Sequence, residues 1–114
     1  MILKHMLNYN TRLDQMFQAL ADPTRRAVVA RLCKSAATVS DIAMPLEMSL
    51  PAVMQHLAIL EQSGLVRSEK KGRVRTCRIE PTALSQAERW IAERRAAWEA
   101  RLDRLGQYLA KQPR

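Results

Sequence analysis

A chain of 114 residues has room for one modest core and no separate catalytic domain. Its formal net charge of +8 points to a polyanionic partner, nucleic acid before a membrane surface, because no apolar run approaches the roughly 20 residues needed to cross a bilayer. Aromatics make up 4% of the residues, so the core is expected to be built from Leu, Ala, Val, Ile and Met, and a core that small is commonly completed by dimerisation.

Residues 1–8 are apolar without a clear period. They read as a docking segment or a disordered end, and MILKHML is too short and too interrupted for a signal peptide. A cytoplasmic protein is expected. Over residues 11–20, Leu13, Met16, Phe17 and Leu20 recur at helical spacing. Asp22 then has the chemistry of an N-cap and Pro23 that of a first helical residue, since proline lacks the N–H that is unbonded there anyway. The helix they start is expected to run to Lys34 and to bury Ala27, Val28, Leu32 and Cys33. Arg25 and Arg26 in its first turn oppose the helix dipole. They reach either a phosphate or an acidic partner, or are plain surface.

Residues 35–38 read as a connection, followed by a two-turn helix capped by Ser40, carrying Ile42, Ala43 and Leu46 with Pro45 inside it. Ser49 caps the next helix, which has Pro51 in its first turn and Val53, Leu57 and Leu60 on its apolar face. Gly64 is its stop. The period then changes. Residues 65–69 and 74–79 read as strands of a hairpin turning at Lys71-Gly72, and Pro81 ends the second strand. From 82 to 110 a long helix carries a stripe of Leu84, Ala87, Ile91, Trp98, Leu102, Leu105 and Leu109.

Two helices joined by a tight turn and followed at once by a basic hairpin give a mainly α (α+β) fold, a winged helix-turn-helix. The chain divides into one domain over 1–114: dimerisation helices at 11–20 and 82–110, the helix-turn-helix at 40–64 and the wing at 65–80. The N-terminal residues of the second helix, Ser49, Leu50, Pro51, Ala52, Met54, Gln55 and His56, are placed to enter a DNA major groove. Gln55 can pair with adenine, the apolar groups can meet a thymine methyl, and Ser49 with the first amides can hold a phosphate. His56 has two readings, support of its own helix edge or a phosphate or base contact. In the hairpin, Lys70, Lys71, Arg73 and Arg75, with Arg67 and Arg78, are offset by Glu69 alone, the composition of a wing that grips phosphates or enters a minor groove. The apolar stripe, with Leu13, Met16 and Phe17, is assigned to a homodimer interface covering Ile91, Trp98, Leu102, Leu105 and Leu109. Two-fold symmetry would set the paired reading helices about 34 Å apart.

The runs Leu20-Ala-Asp-Pro-Thr-Arg-Arg26, Ser49-Leu-Pro-Ala-Val-Met-Gln-His-Leu57 and Leu60-Glu-Gln-Ser-Gly-Leu-Val66, in that order, resemble the ArsR family of bacterial repressors. The resemblance implies a dimeric winged helix joined by its first and last helices. It also implies a repressor released by a bound effector or by thiol chemistry. The Cys-x-Cys box of the metal-sensing members has no counterpart in Val39-Ser-Asp-Ile-Ala43, and the terminal helix has no histidine. Met54 and Gln55 stand where the family usually has serine and often a basic residue. The combination of Ser49-Leu-Pro-Ala-Val53, the Gly72-Arg73 wing and the Arg-x-x-x-Trp-Glu-x-Arg-Leu-Asp pattern from Arg94 to Asp103 resembles a subgroup without an obvious metal site, so no metal, cofactor or catalytic residue is expected, and a small-molecule effector stays open. Nor is there a nucleophile–base pair, a Gly-rich phosphate loop or paired carboxylates, so the chain does not read as an enzyme. The other readings are a sensor of the same fold switched through Cys33 and Cys77 or by a metal, and a protein-interaction module without DNA binding.

Overall fold

A computed structural model describes residues 2–112, with side chains from Thr11 onward. Helix α1 spans Ile2–Ala19 and α2 Pro23–Lys34. A two-residue strand β1 (Ala37–Thr38) leads into the short α3 (Val39–Ala43), and α4 spans Leu50–Gln62. Strands β2 (Val66–Lys71) and β3 (Val74–Ile79) form the wing, and α5 runs from Pro81–Lys111. The sheet is antiparallel in the order β1-β3-β2.

Local chemistry sets most of these starts. The Asp22 carboxylate accepts the Arg25 amide at 3.0 Å, and Pro23 follows it. That bond holds the Asp22 carboxyl below its ordinary range against an opposing desolvation, helped by the charge of Arg25 and by that of His56 when its ring is protonated. The Ser49 hydroxyl accepts the Ala52 amide at 3.3 Å and starts α4 in the same way. At the other end of α4, Gly64 has φ +82°, and the buried Ser63 hydroxyl donates to the Leu60 carbonyl while accepting the Leu65 amide. One side chain thus satisfies groups on both sides of the turn into the wing.

The core gathers one face of each element. Leu13, Met16 and Ala19 from α1 meet Val28, Val29 and Leu32 from α2, and Ile42 from α3. Ala37 from β1, Val53, Leu57 and Leu60 from α4, Leu65, Val66 and Cys77 from the wing base, and Ala83 and Ala87 from α5 complete it.

The structure corrects several expectations. α1 begins at Ile2, taking in residues read as a docking segment or a disordered end; Met1 lies outside the described residues. On α2 the buried face is Val28, Val29 and Leu32, while Ala27 and Cys33 are exposed. The helix is rotated so that the two larger β-branched side chains and Arg25 share the inward side, at helical spacing. Residues 37–38 are a strand because Ala37 pairs with Cys77 and Thr38 with Thr76. The cap of α3 is therefore Thr38, whose hydroxyl accepts the Asp41 amide at 3.1 Å, and not Ser40. Pro45 lies beyond α3, where its missing N–H breaks no helical bond. The hairpin turns at Gly72-Arg73, with Lys71 inside β2 opposite Val74. Gly72 has φ +63° and Arg73 does not, the pattern of a type II′ turn, which needs glycine first.

The C-terminal two-thirds of α5 leaves the body of the protein. Every residue from 91 to 111 is exposed, a bare rod about 30 Å long at 1.5 Å per residue. The radius of gyration is 19.7 Å and the longest dimension 72 Å, whereas a compact chain of this length has a radius near about 13 Å.

Candidate nucleic-acid interface

One face of the molecule joins the start of α4 to the wing. An open cleft there is lined by Leu50 and Met54 of α4, by Lys70, Arg73, Val74 and Arg75 of the wing, and by residues 38–40. Five residues singled out from the sequence, Leu50, Met54, Lys70, Arg73 and Arg75, therefore meet in space. Gln55 and Pro51 are exposed beside them, Ala52 is half-buried, and the Ser49 hydroxyl is engaged as the cap.

The basic residues of the wing fall into two groups. Arg67 is paired with Glu80 at 3.3 Å and Arg78 with Glu69 at 3.6 Å, so the cluster is offset by two glutamates and not by Glu69 alone. Among the described residues, the side chains of Lys70, Lys71 and Arg73 at the tip have no hydrogen bond or ion pair. Arg75 donates to the Ser68 hydroxyl across the hairpin at 2.8 Å, which fixes its direction. Lys70 sits directly opposite Arg75 in the register. Like charges in that position repel, and an anion against them relieves the repulsion. The tip thus carries three unpaired cations and one oriented one.

His56 stands apart from this cleft. Its Nδ1 lies 3.4 Å from Nη1 of Arg25, which can donate to it when that nitrogen is unprotonated, and 3.8 Å from the Asp22 carboxylate. The supporting reading of His56 fits these partners. Arg25 also donates to the carbonyls of Ala19 (2.7 Å) and Gln18 (3.2 Å), and Arg26 donates to Leu20 (2.9 Å). These two arginines cap the end of α1 and tie it to α2 and α4. Sequence reasoning missed this clamp because its acceptors are backbone carbonyls. It also passed over Val74, the one apolar side chain directly after the turn of a basic hairpin.

The expected dimer residues divide as well. Leu13 and Met16 are 4% and 1% exposed inside the chain's own core, so they offer a second copy almost nothing. Phe17 is half-buried and meets Trp90 edge-on at 5.6 Å between ring centres. Ile91, Trp98, Leu102, Leu105 and Leu109 are exposed by 44–63%. With Arg95 they follow spacings of 4, 3, 4, 3 and 4, the repeat of a coiled-coil seam with one charged insertion.

The two cysteines are free, Cys33 exposed and Cys77 buried. Burial pushes the Cys77 thiol up and Glu61 adds to it, against a smaller opposing pull from Arg75, which disfavours the reactive thiolate. Among the described residues no group of three or more His, Cys, Asp or Glu comes together as a metal site; the side chain of His5 lies outside them. No described helix is long and apolar enough to cross a membrane.

Comparison with known proteins gives a consistent picture. Residues 22–68 match the family described as "Bacterial regulatory protein, arsR family". The HTH-type transcriptional regulator Rv2034 of Mycobacterium tuberculosis (strain ATCC 25618 / H37Rv) is 43% identical over 72 residues, covering 63% of this chain and 67% of that protein. The transcriptional repressor SdpR of Bacillus subtilis (strain 168) is 30% identical over 79 residues, 69% of this chain and 88% of its own. Among solved structures, the crystal structure of an ArsR family transcriptional regulator superposes with a TM-score of 0.75 at 51% identity, covering 79% of this chain and 93% of the other.

Proposed function

The chain belongs to the ArsR family of bacterial regulatory proteins, a family of winged helix-turn-helix transcriptional regulators and not of enzymes, and from that premise we propose that it is a dimeric repressor of an inverted-repeat operator. Two copies join along the outer half of α5, with help from Phe17 and Trp90. Each lays the start of α4 in a major groove and its wing along the adjoining backbone. The protein then acts in the cytoplasm, where its operator is.

The observation that carries this reading is the cleft between α4 and the wing, where an apolar helix end faces unpaired cations. A helix end fits the major groove, and cations on both sides of it suit the phosphates that flank the groove. Lys71 and Arg73 are assigned to phosphates, Gln55 to a base edge. The bare seam of α5 supports the dimer, because helices in proteins draw most of their stability from packing an apolar face, and a single chain leaves this one in water.

Titration of duplex DNA at several salt concentrations tests the assignment. Lys71→Ala and Arg73→Ala each lower affinity for every sequence and flatten the log–log salt slope by about one. Gln55→Ala instead changes preference at one base pair, by about 1–3 kcal/mol. Equal loss on all sequences from all three variants would overturn the division of roles.

A further inference from the structure

The reading helix has an unusual poverty of hydrogen-bonding groups. Between Leu50 and Gln62 it holds no Arg, Lys, Asn or Asp, and His56 is engaged with Arg25 and Asp22. Gln55 is the one amide in its outward N-terminal turns, since Gln62 lies at the far end. The commonest base contact, a bidentate Arg or Lys on guanine, is therefore unavailable to this helix.

What the helix does present is apolar. Leu50 is 57% exposed and Met54 39%, one turn apart on the same face. Val74, 51% exposed, looks at them across the cleft from the wing, and Lys70, Arg73 and Arg75 surround the three. A patch of this kind needs an occupant that is anionic around its edge and apolar at its centre. Duplex DNA meets both demands, and the apolar group on its major-groove base edges is the 5-methyl of thymine.

We propose that Leu50 and Met54, backed by Val74, select the operator by packing against thymine 5-methyl groups, so that each half-site carries thymines opposite the wing-facing side of α4. This rests on the DNA-binding reading given above. Gln55, on the neighbouring face, then adds an adenine contact. Sequence selection by this protein is thus mainly a matter of apolar fit and shape, with cations supplying the non-selective grip.

Deoxyuridine provides the test, because it differs from thymidine only in the missing methyl and keeps every hydrogen-bonding group. A duplex enriched from a random pool by the full-length protein is resynthesised with uracil replacing each thymine in turn, and binding is followed by fluorescence anisotropy. Uracil at the positions facing α4 is expected to weaken binding about fourfold per methyl, the effect of removing one buried methyl-sized group. Leu50→Ala and Met54→Ala, both at exposed positions, are each expected to make one of those positions indifferent to uracil. Tight binding with no penalty for uracil anywhere, or penalties that survive both substitutions, would overturn the methyl reading and leave DNA binding intact. No binding to any duplex in dilute buffer would overturn both.

Discussion

Replacing Trp98 and Leu102 together by aspartate converts the protein to a monomer and lowers operator affinity by about 10²–10⁴-fold. Both residues are more than half exposed in the single chain, so the carboxylates cost the protomer little. In a dimer they would face identical carboxylates across the seam, where charge is disfavoured and two large apolar side chains would no longer pack. The drop in affinity follows from multivalency. A dimer binds its second half-site at an effective concentration set by the linkage, and separate monomers forfeit that gain. The core contains no residue from 91 to 111, so the double variant is expected to keep its fold. Sedimentation velocity and anisotropy on the same sample read both effects. A variant that stays dimeric and binds as before would show that the seam is not the interface.

Leu60→Ala is expected to cost about 2–5 kcal/mol of stability, read as the urea midpoint at fixed protein concentration. Leu60 has no exposed surface and lies in the shared core, and its carbonyl accepts the Ser63 hydroxyl at the turn into the wing. Removing its side chain leaves a cavity where α4 leads into the wing. Total stabilities of such domains are about 5–15 kcal/mol, so the loss is a large share of the whole. Leu50→Ala, ten residues earlier on the same helix, is the control: its side chain is already in water, and its effect is expected to stay within about 0.5 kcal/mol. Similar losses at both positions would contradict the orientation of α4.

Elements with local punctuation were legible in the sequence. Asp22-Pro23 and Ser49-Leu50-Pro51 announce α2 and α4 because capping is chemistry between residues three apart. The wing was legible from Gly72 and its flanking strands, with an error of one residue in the turn, because only the pairing of Lys71 with Val74 fixes which two residues make it. What depends on distant partners was not legible. Strand β1 is two residues long and exists through Cys77 and Thr76, some forty positions away. The weak helix formers Asn8, Asn10 and Thr11 hid the continuity of α1 with the segment before it.

The candidate site followed the same rule. Residue types told of a basic hairpin and an apolar helix end, and only the fold could put Leu50, Met54 and Val74 into one cleft. Periodicity showed that Leu13 and Met16 lie on an apolar face. It could not tell the chain's own core from a partner's surface, and the fold spends them internally. Arg25 and Arg26 carried no sign that their acceptors would be the last carbonyls of the preceding helix and its turn.

Hydroxyl-radical footprinting of the enriched duplex goes most directly to the claim that paired reading helices and wings hold operator DNA. Two protected patches related by a two-fold axis are predicted, about 34 Å apart along one face of the duplex, and the part of each patch beneath the wing is predicted to disappear with the Lys71→Ala and Arg73→Ala proteins. A lone patch, or even protection along the whole duplex, would contradict it.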